Sequence, residues 1–456
     1  MSSTVDIGRF VDEIWRRDIV PTLRDYVAIP CVSVAFDPEW RAHGHLDHAV
    51  ALVADWCRAR RIDGLTVDVV ELPGRTPVVL CEVAASNGVA ADETVLLYGH
   101  CDKQPEMVGW RPGLGPWDPV IEGDRLYGRG GADDGYAVFA SLTAIEAAQA
   151  AGVPHARCVI LIEASEESGS PDLPAYLTAL AGRIGTPSLV LCLDSGCLDY
   201  ERLWVTTSLR GMVSGTLRVE ILTEGVHSGE ASGVVPSTFR ITRALLDRIE
   251  DATTGRLRLP ELHVDIPADR LAQARHTSTE FRVADHYPFV AGAQPVSDDP
   301  LAQLLGRTWE PTLCVTGADD LPPVATAGNV LRPRTSLQLS VRLPPTCDHV
   351  QARAAIVEAI TSDPPYGAIV RIEDAQSAPG WNAPPFAPWL EHALDRASRA
   401  AFGVPHAAVG RGARSRSWAC SARCSPRPSS SSPVCSDPAR TRMVRTSSCT
   451  FRPACG

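Results

Sequence analysis

Tyr98-Gly99-His100-Cys101-Asp102 closes a short apolar run, Val95-Leu96-Leu97, and this stretch decides the fold. A compact run of branched apolar residues bounded by glycine reads as a buried strand of a parallel sheet. Gly99 is expected to let the backbone leave that strand. His100 and Asp102 are two residues apart, so on an extended chain their side chains face the same way. A histidine and a carboxylate on one face at a strand's carboxyl end make a metal ligand and the partner that orients it. The pattern alone also fits a solvated loop, so the neighbouring segments must decide.

Working outward, two more apolar runs end in acidic residues. Residues 157–163 lead into Glu163-Ala164-Ser165-Glu166-Glu167-Ser168-Gly169, and residues 188–193 lead into Asp194-Ser195-Gly196. Between the first and second runs, Gly128-Arg129-Gly130-Gly131-Ala132-Asp133-Asp134 opens an alanine-rich helix over 136–151. Helical spacing marks 7–26, 48–60 and 173–181, with Pro21 expected to kink or split the first. Residues 65–71 and 76–83 read as strands that can pair. Residues 107–124, rich in Trp, Pro and Gly, read as an irregular loop over the strand ends. Strands alternating with helices predict an α/β domain whose mostly parallel sheet is flanked by helices.

The texture changes near 204. Residues 215–222 and 336–343 alternate like half-exposed strands, and 237–250 and 349–361 are helical. These predict an α+β domain inserted at 206–376, dividing the α/β domain into 1–205 and 377–410, with a returning helix at 389–402.

Composition excludes several functions. The chain has 456 residues, 45% hydrophobic and 21% charged, with net charge −11 and a pI near 5.6. That balance argues against nucleic acid or an anionic membrane as partner. No apolar run approaches the roughly 18 residues of a spanning helix. Residues 1–10 lack a basic region followed by an apolar core, so a cytoplasmic protein is expected. Of 14 cysteines, five (Cys420, Cys424, Cys435, Cys449, Cys455) fall in the last 46 residues, and the rest read as buried thiols. Lys103 is the only lysine in an arginine-rich chain, a bias expected of a GC-rich coding sequence.

Successive strand ends thus present His100 and Asp102, Glu166 and Glu167, and Asp194, with Asp133 at the helix start. Open α/β sheets bind ligands beyond the carboxyl ends of their strands. One histidine with several carboxylates suits zinc, with cobalt or manganese as substitutes. So many carboxylates repel unless cations lie between them. An adjacent Glu pair fits a two-metal site, one holding metal and the other activating water. Each piece has a plainer account: a helix N-cap for Asp133-Asp134, a solvated loop for Glu166-Glu167, a turn cap for Asp194. Their recurrence at strand ends favours a shared site.

On these segments (Tyr98 to Asp102, Gly128 to Asp134, Glu163 to Gly169, Leu193 to Gly196) the chain resembles the di-zinc dipeptidase and aminoacylase family. That family includes carnosinase-like dipeptidases, acetylornithine deacetylase and succinyl-diaminopimelate desuccinylase. The resemblance covers residues 7 to about 408. It implies that His100 and Asp194 hold one zinc, Glu167 the other, and that Asp133 bridges them. Asp102 would orient His100, Glu166 would be the general base, and the Asp133-Asp134 peptide would be cis, as is usual in the family. Gly225-Val226-His227-Ser228-Gly229 resembles a lid segment whose histidine reaches the neighbouring subunit's site and stabilises an oxyanion. The inserted domain would then be a lid and dimerisation domain, and the protein a homodimer. Asn329 and Arg342, in Gly328-Asn329-Val330-Leu331 and Ser340-Val341-Arg342-Leu343-Pro344-Pro345, match residues that bind the substrate's carboxylate or carbonyl. Arginine suits a carboxylate by bidentate pairing.

The implied activity is zinc-dependent hydrolysis of dipeptides or short peptides by metal-activated water. Two alternatives are an N-acyl amino acid deacylase or desuccinylase, acting on an N-acyl amino acid, and a non-catalytic relic of the fold. Residues 110–130 resemble the dipeptidases more. One departure is Asp133-Asp134-Gly135-Tyr136, where the family's dipeptidases often read Asp-Asp-Lys-Gly.

The chain also breaks this pattern near its end. The family needs a second zinc histidine in an Asn-Ala-His-x-Pro-Asn-Glu context, but the last histidine here is His406. Residues 411–456 hold nine arginines, 11 serines and one acid, Asp437. A disordered basic tail is one account. A frameshift is the sharper one. With GC-leaning codons, joining each third base to the next two bases turns residues 409–426 into Arg-Glu-Gly-Gly-Ser-Ile-Pro-Phe-Met-Gly-Met-Leu-Gly-Ala-Leu-Phe-Pro. Residues 433–449 become Gly-Val-Leu-Gly-Pro-Gly-Ser-Asn-Ala-His-Gly-Pro-Asn-Glu-Phe-Leu. The histidine codon would straddle Arg442 and Met443. Trp418 and Met443 have single codons, so part of the match is forced. As written, the chain is expected to lack a zinc ligand, a substrate-binding segment and a closing strand, and to be impaired.

Overall fold

The computed structural model describes residues 5–90, 93–412 and 442–446. The other tail positions, with the five late cysteines and the shifted motifs they would encode, lie outside the described residues. Among the described residues the chain divides into two compact units. One is built from residues up to 206, 384–407 and the strand at 442–446. The other comprises 207–383 and 408–412.

The first unit opens with helix α1 (Ile7–Ile14), a π-helical turn (Trp15–Ile19) and helix α2 (Val20–Val27). Pro21 does not split this run. It falls in the first turn of α2, directly after the π turn, where a missing amide is tolerated. Strands β1 (Leu65–Val70) and β2 (Val78–Val83) pair antiparallel, and β3 (Thr94–His100) follows. The expected irregular loop carries a small hairpin, β4 (Val120–Glu122) and β5 (Arg125–Tyr127). Strands β6 (Arg157–Glu163) and β7 (Leu189–Cys192) flank β3, both parallel to it. β2 pairs antiparallel with β6, so the sheet is mixed, with a parallel centre.

The helices His45–Arg58 and Ala137–Ala150 bury Trp56, Cys57, Phe139 and Leu142 against sheet residues such as Val79, Cys81, Ile160 and Ile162. Both faces of a parallel centre need such cover, which is why its strands carry near-continuous apolar runs. β8 (Trp204–Leu209) follows, and β17 (Arg442–Thr446) pairs parallel with β7 and antiparallel with the first half of β8. The expected loss of a closing strand is therefore corrected: the chain as written supplies one, since a parallel slot needs main-chain partners more than a particular side-chain pattern.

The second unit is α+β. A four-stranded antiparallel sheet runs β11 (Thr312–Asp319), β13 (Arg334–Leu343), β9 (Gly211–Glu220), β14 (Ile369–Ala378). β9 alternates buried and half-buried residues along its full length, the pattern of a sheet covered on one face. Helices Thr238–Leu246 and His349–Thr361 supply that cover through Ile241, Leu245, Ile356 and Ile360, packed with Leu217 and Leu339. β10 (Val226–His227) and β12 (Val330–Leu331) form a separate ribbon. β15 (Trp381–Asn382) and β16 (Ala407–Arg411) pair with β8. Strands β11 and β14 escaped the sequence reading because their exposed edges carry little alternation.

Candidate metal centre

The carboxyl ends of β3, β6 and β7 lie side by side, so their following residues meet. His100 is the last residue of β3, opposite Glu163 on β6. Gly99 serves close approach rather than an exit from the strand. A Cβ there would lie 2.6 Å from Ala137 Cβ and 2.7 Å from Asp134 Oδ2. That closeness lets the buried Asp134 carboxylate accept the His100 amide at 3.2 Å. The Asp133–Asp134 peptide is cis.

His100, Asp133 and Asp194 each offer a ligand atom, and these atoms all lie within 4.8 Å of one another. His100 is buried, Asp194 half-buried and Asp133 exposed. His100 Nε2 is 3.3 Å from Asp133 Oδ1 and 3.9 Å from Glu166 Oε2. Asp102 sits behind, its Oδ1 3.3 Å from His100 Nδ1. Its two oxygens also accept the amides of Glu166 at 3.0 Å and Glu167 at 2.9 Å. One wholly buried carboxylate thus ties the β3 end to the acidic turn after β6. Glu166 is buried and Glu167 half-buried on that turn. Gln104 Nε2 donates to Glu167 Oε2 at 2.7 Å, an orienting contact the sequence reading missed.

Burial, then the charge of Asp133, pushes the Glu167 carboxyl up to about 7. Burial first, then the charge of Asp194, raises Asp134 well above the usual carboxylate range. Burial opposes charge on His100, but its hydrogen bonds to the carboxylates of Asp102 and Asp133 hold it well above an ordinary histidine. Asp134 Oδ1 is buried with no hydrogen-bond partner among the described residues. Crowded carboxylates that hold protons near neutrality lack positive charge, so the donor set fits divalent cations.

Below lies Glu163, missed because it read only as the end of a strand. It accepts the Tyr98 hydroxyl, Ser170 Oγ at 2.7 Å and Ser165 Oγ at 3.2 Å, and burial raises it to about 8. Tyr136 likewise donates to the carbonyl of Leu193, next to Asp194. Lys103, which had read only as a trace of codon bias, is wholly buried beside Asp102.

His227, Asn329 and Arg342 belong to the second unit. On the β10–β12 ribbon His227 pairs with Val330, and the Ser228 amide donates to the Asn329 carbonyl at 2.9 Å. Both His227 and Asn329 are exposed, and His227 Nδ1 accepts the Gly229 amide at 3.2 Å. Arg342 is half-buried on β13, between Thr312 and Met212.

Known proteins share this architecture. The profile of peptidase family M20/M25/M40 matches residues 96–413. A cysteinylglycine-S-conjugate dipeptidase of Corynebacterium striatum is 26% identical over 320 residues, 69% of this chain and 68% of that protein. A beta-Ala-His dipeptidase of Rattus norvegicus is 24% identical over 348 residues, 73% of this chain and 68% of that protein. The crystal structure of human carnosine dipeptidase 1 superposes with a TM-score of 0.70 at 19% identity, covering 96% of this chain and 90% of that one.

Proposed function

The chain belongs to peptidase family M20/M25/M40, and on that premise we propose that it is a metal-dependent dipeptidase, its first unit catalytic and its second a lid through which two copies pair. The supporting observation is the convergence of His100, Asp133 and Asp194 at adjacent strand ends, with Glu166 alongside. His100, Asp133, Glu167 and Asp194 would hold two divalent cations, zinc being the best match to this donor set, with cobalt or manganese as substitutes. Bound there, such a cation lowers the pKa of water and polarises a carbonyl.

The protein's own groups do the rest. Glu166 takes the proton of the attacking water and returns it to the leaving amine. Asp102 keeps His100 oriented and holds the two glutamate amides in place. His227 donates to the tetrahedral oxyanion. Asn329 and Arg342 bind the substrate's carboxylate or carbonyl, the arginine being suited to a carboxylate by bidentate pairing. Zinc quantification, with a panel of dipeptides set against N-acetyl and N-succinyl amino acids, tests this function. Turnover confined to the acyl substrates identifies a deacylase. Metal-free chain that binds peptides, with Glu166→Ala unchanged, identifies a binding relic.

A second reading concerns the tail. The family match stops at 413, the last histidine is His406, and the arginine-serine-cysteine composition begins at the same place. These observations support a frameshift near 409, which removes one zinc ligand and impairs this chain. Resequencing codons 405 to 412 tests it, and an uninterrupted frame would sink it. Two tightly bound zincs with full turnover would separately refute the impairment.

A further inference from the structure

Lys103 is the one lysine in a chain that otherwise uses arginine for its cations. It is wholly buried, and its Nζ donates to the carbonyls of Tyr26 at 2.8 Å, Val27 at 3.2 Å and Ile29 at 2.7 Å. Tyr26 and Val27 end α2, so the ammonium meets carbonyls that lack partners within the helix, where the helix dipole favours a cation. The Tyr26 ring lies 4.2 Å from Nζ and the Trp117 ring 5.2 Å. Three donors on a compact ammonium match three converging acceptors. A planar guanidinium cannot aim its fork at all three. That explains a lysine at this one position.

Its surroundings tie the two segments that lead to His100 and Asp133 to a third, residues 26–33, that carries no candidate ligand. The Lys103 amide donates to the Cys31 carbonyl at 3.0 Å, and its carbonyl accepts the Ser33 amide at 2.9 Å. The Tyr26 hydroxyl donates to the Cys101 carbonyl at 3.2 Å. The lysine stem lies against Gly130, whose φ is +85° and where a Cβ would come within 2.6–2.8 Å of Cε, Cγ and Cδ. Asp102 lies one residue before Lys103, and Asp133 three residues after Gly130.

We propose that Lys103 is a positioning residue for the metal centre. Its ammonium, seated on the end of α2, anchors the Asp102 loop and fixes the course of the stem that packs on Gly130, and so the separation of His100 from Asp133. This rests on the assignment of His100, Asp133, Glu167 and Asp194 as ligands.

The test titrates zinc into the metal-free full chain and its Lys103→Met variant, which keeps the stem and loses the donors. The cobalt absorption band reports ligand geometry, and circular dichroism reports folding. Folded Lys103→Met should bind zinc on the order of tenfold more weakly, as for other groups that orient ligands indirectly, with a shifted cobalt band. A purely structural lysine would lower the melting temperature and leave zinc affinity and the cobalt band untouched, which overturns the proposal. Should Lys103→Met not fold, Lys103→Gln, which keeps two donors, takes its place. Unchanged affinity in a folded Lys103→Gln overturns the proposal equally, and a weaker one supports it. If neither the unsubstituted chain nor its frame-corrected counterpart binds zinc, the ligand assignment itself has failed. If either binds zinc and its folded variants match it, only the role of Lys103 has.

Discussion

The floor of the candidate metal centre and the ribbon carrying His227 are built in opposite ways. The floor is closed: Asp102, Glu163 and Lys103 are buried, and each holds several partners drawn from segments far apart in the chain. The ribbon is open: two residues pair with two, and His227 and Asn329 face solvent. Buried charges must be satisfied within the fold, so the floor is over-determined. Exposed groups are satisfied by water until a substrate replaces it. The contrast teaches that the geometry of the candidate ligands is a property of the folded first unit. The groups proposed to meet substrate, His227 and Asn329, would contribute only when something binds.

Substitutions can break or sharpen that contrast. The largest effect is expected from Glu166→Ala, which should cut dipeptide turnover by about 10²–10⁴-fold while leaving zinc content intact. Unchanged turnover would remove Glu166 from the chemistry. His227→Ala should lower kcat by on the order of 10²-fold, again with zinc unchanged. A loss of zinc in that variant would mean that the ribbon is part of the floor. Asp102→Asn removes a carboxylate that holds a ligand and two amides, and should weaken zinc by about 10–100-fold. Full affinity in a titration would show that the floor tolerates its loss.

The smallest effect is in the metal-free chain. Glu167 and Glu163 hold their protons to about 7 and about 8 in the fold, against 4.5 ordinarily. Above 4.5 the folded state therefore binds more protons than the unfolded one, and stability falls as pH rises towards 8. The raised His100 acts in the same direction. Melting temperature should decline across this window without metal and decline less with saturating zinc. A rise with pH would contradict the crowding described above.

Much of the centre was legible because strand ends announce themselves. Apolar runs stopping at His100, Glu163 and Leu193 pointed to the turns that carry the candidate ligands, since a parallel sheet aligns the ends of its buried strands. Glu163 itself was not legible as a buried acid, nor Gln104 as the partner of Glu167. A polar residue's neighbours come from other segments, and spacing along one chain does not encode them. Pro21 reads as a break because local rules count missing amides, whereas the fold places it in the first turn of α2, where its amide is not needed.

The sequence by itself determined the alternation of strands and helices, the inserted α+β segment, the residue types able to hold cations and the compositional rupture after residue 410. These follow from periodicity, residue chemistry and composition, all of which are local. Only the tertiary structure decided that Asp102 bridges two turns, that Gly99 makes room for Asp134, and that the one lysine is a buried anchor rather than a trace of codon usage. Each depends on which segments meet in three dimensions. That is decided by burying the hydrophobic cores and satisfying most of the polar groups enclosed with them.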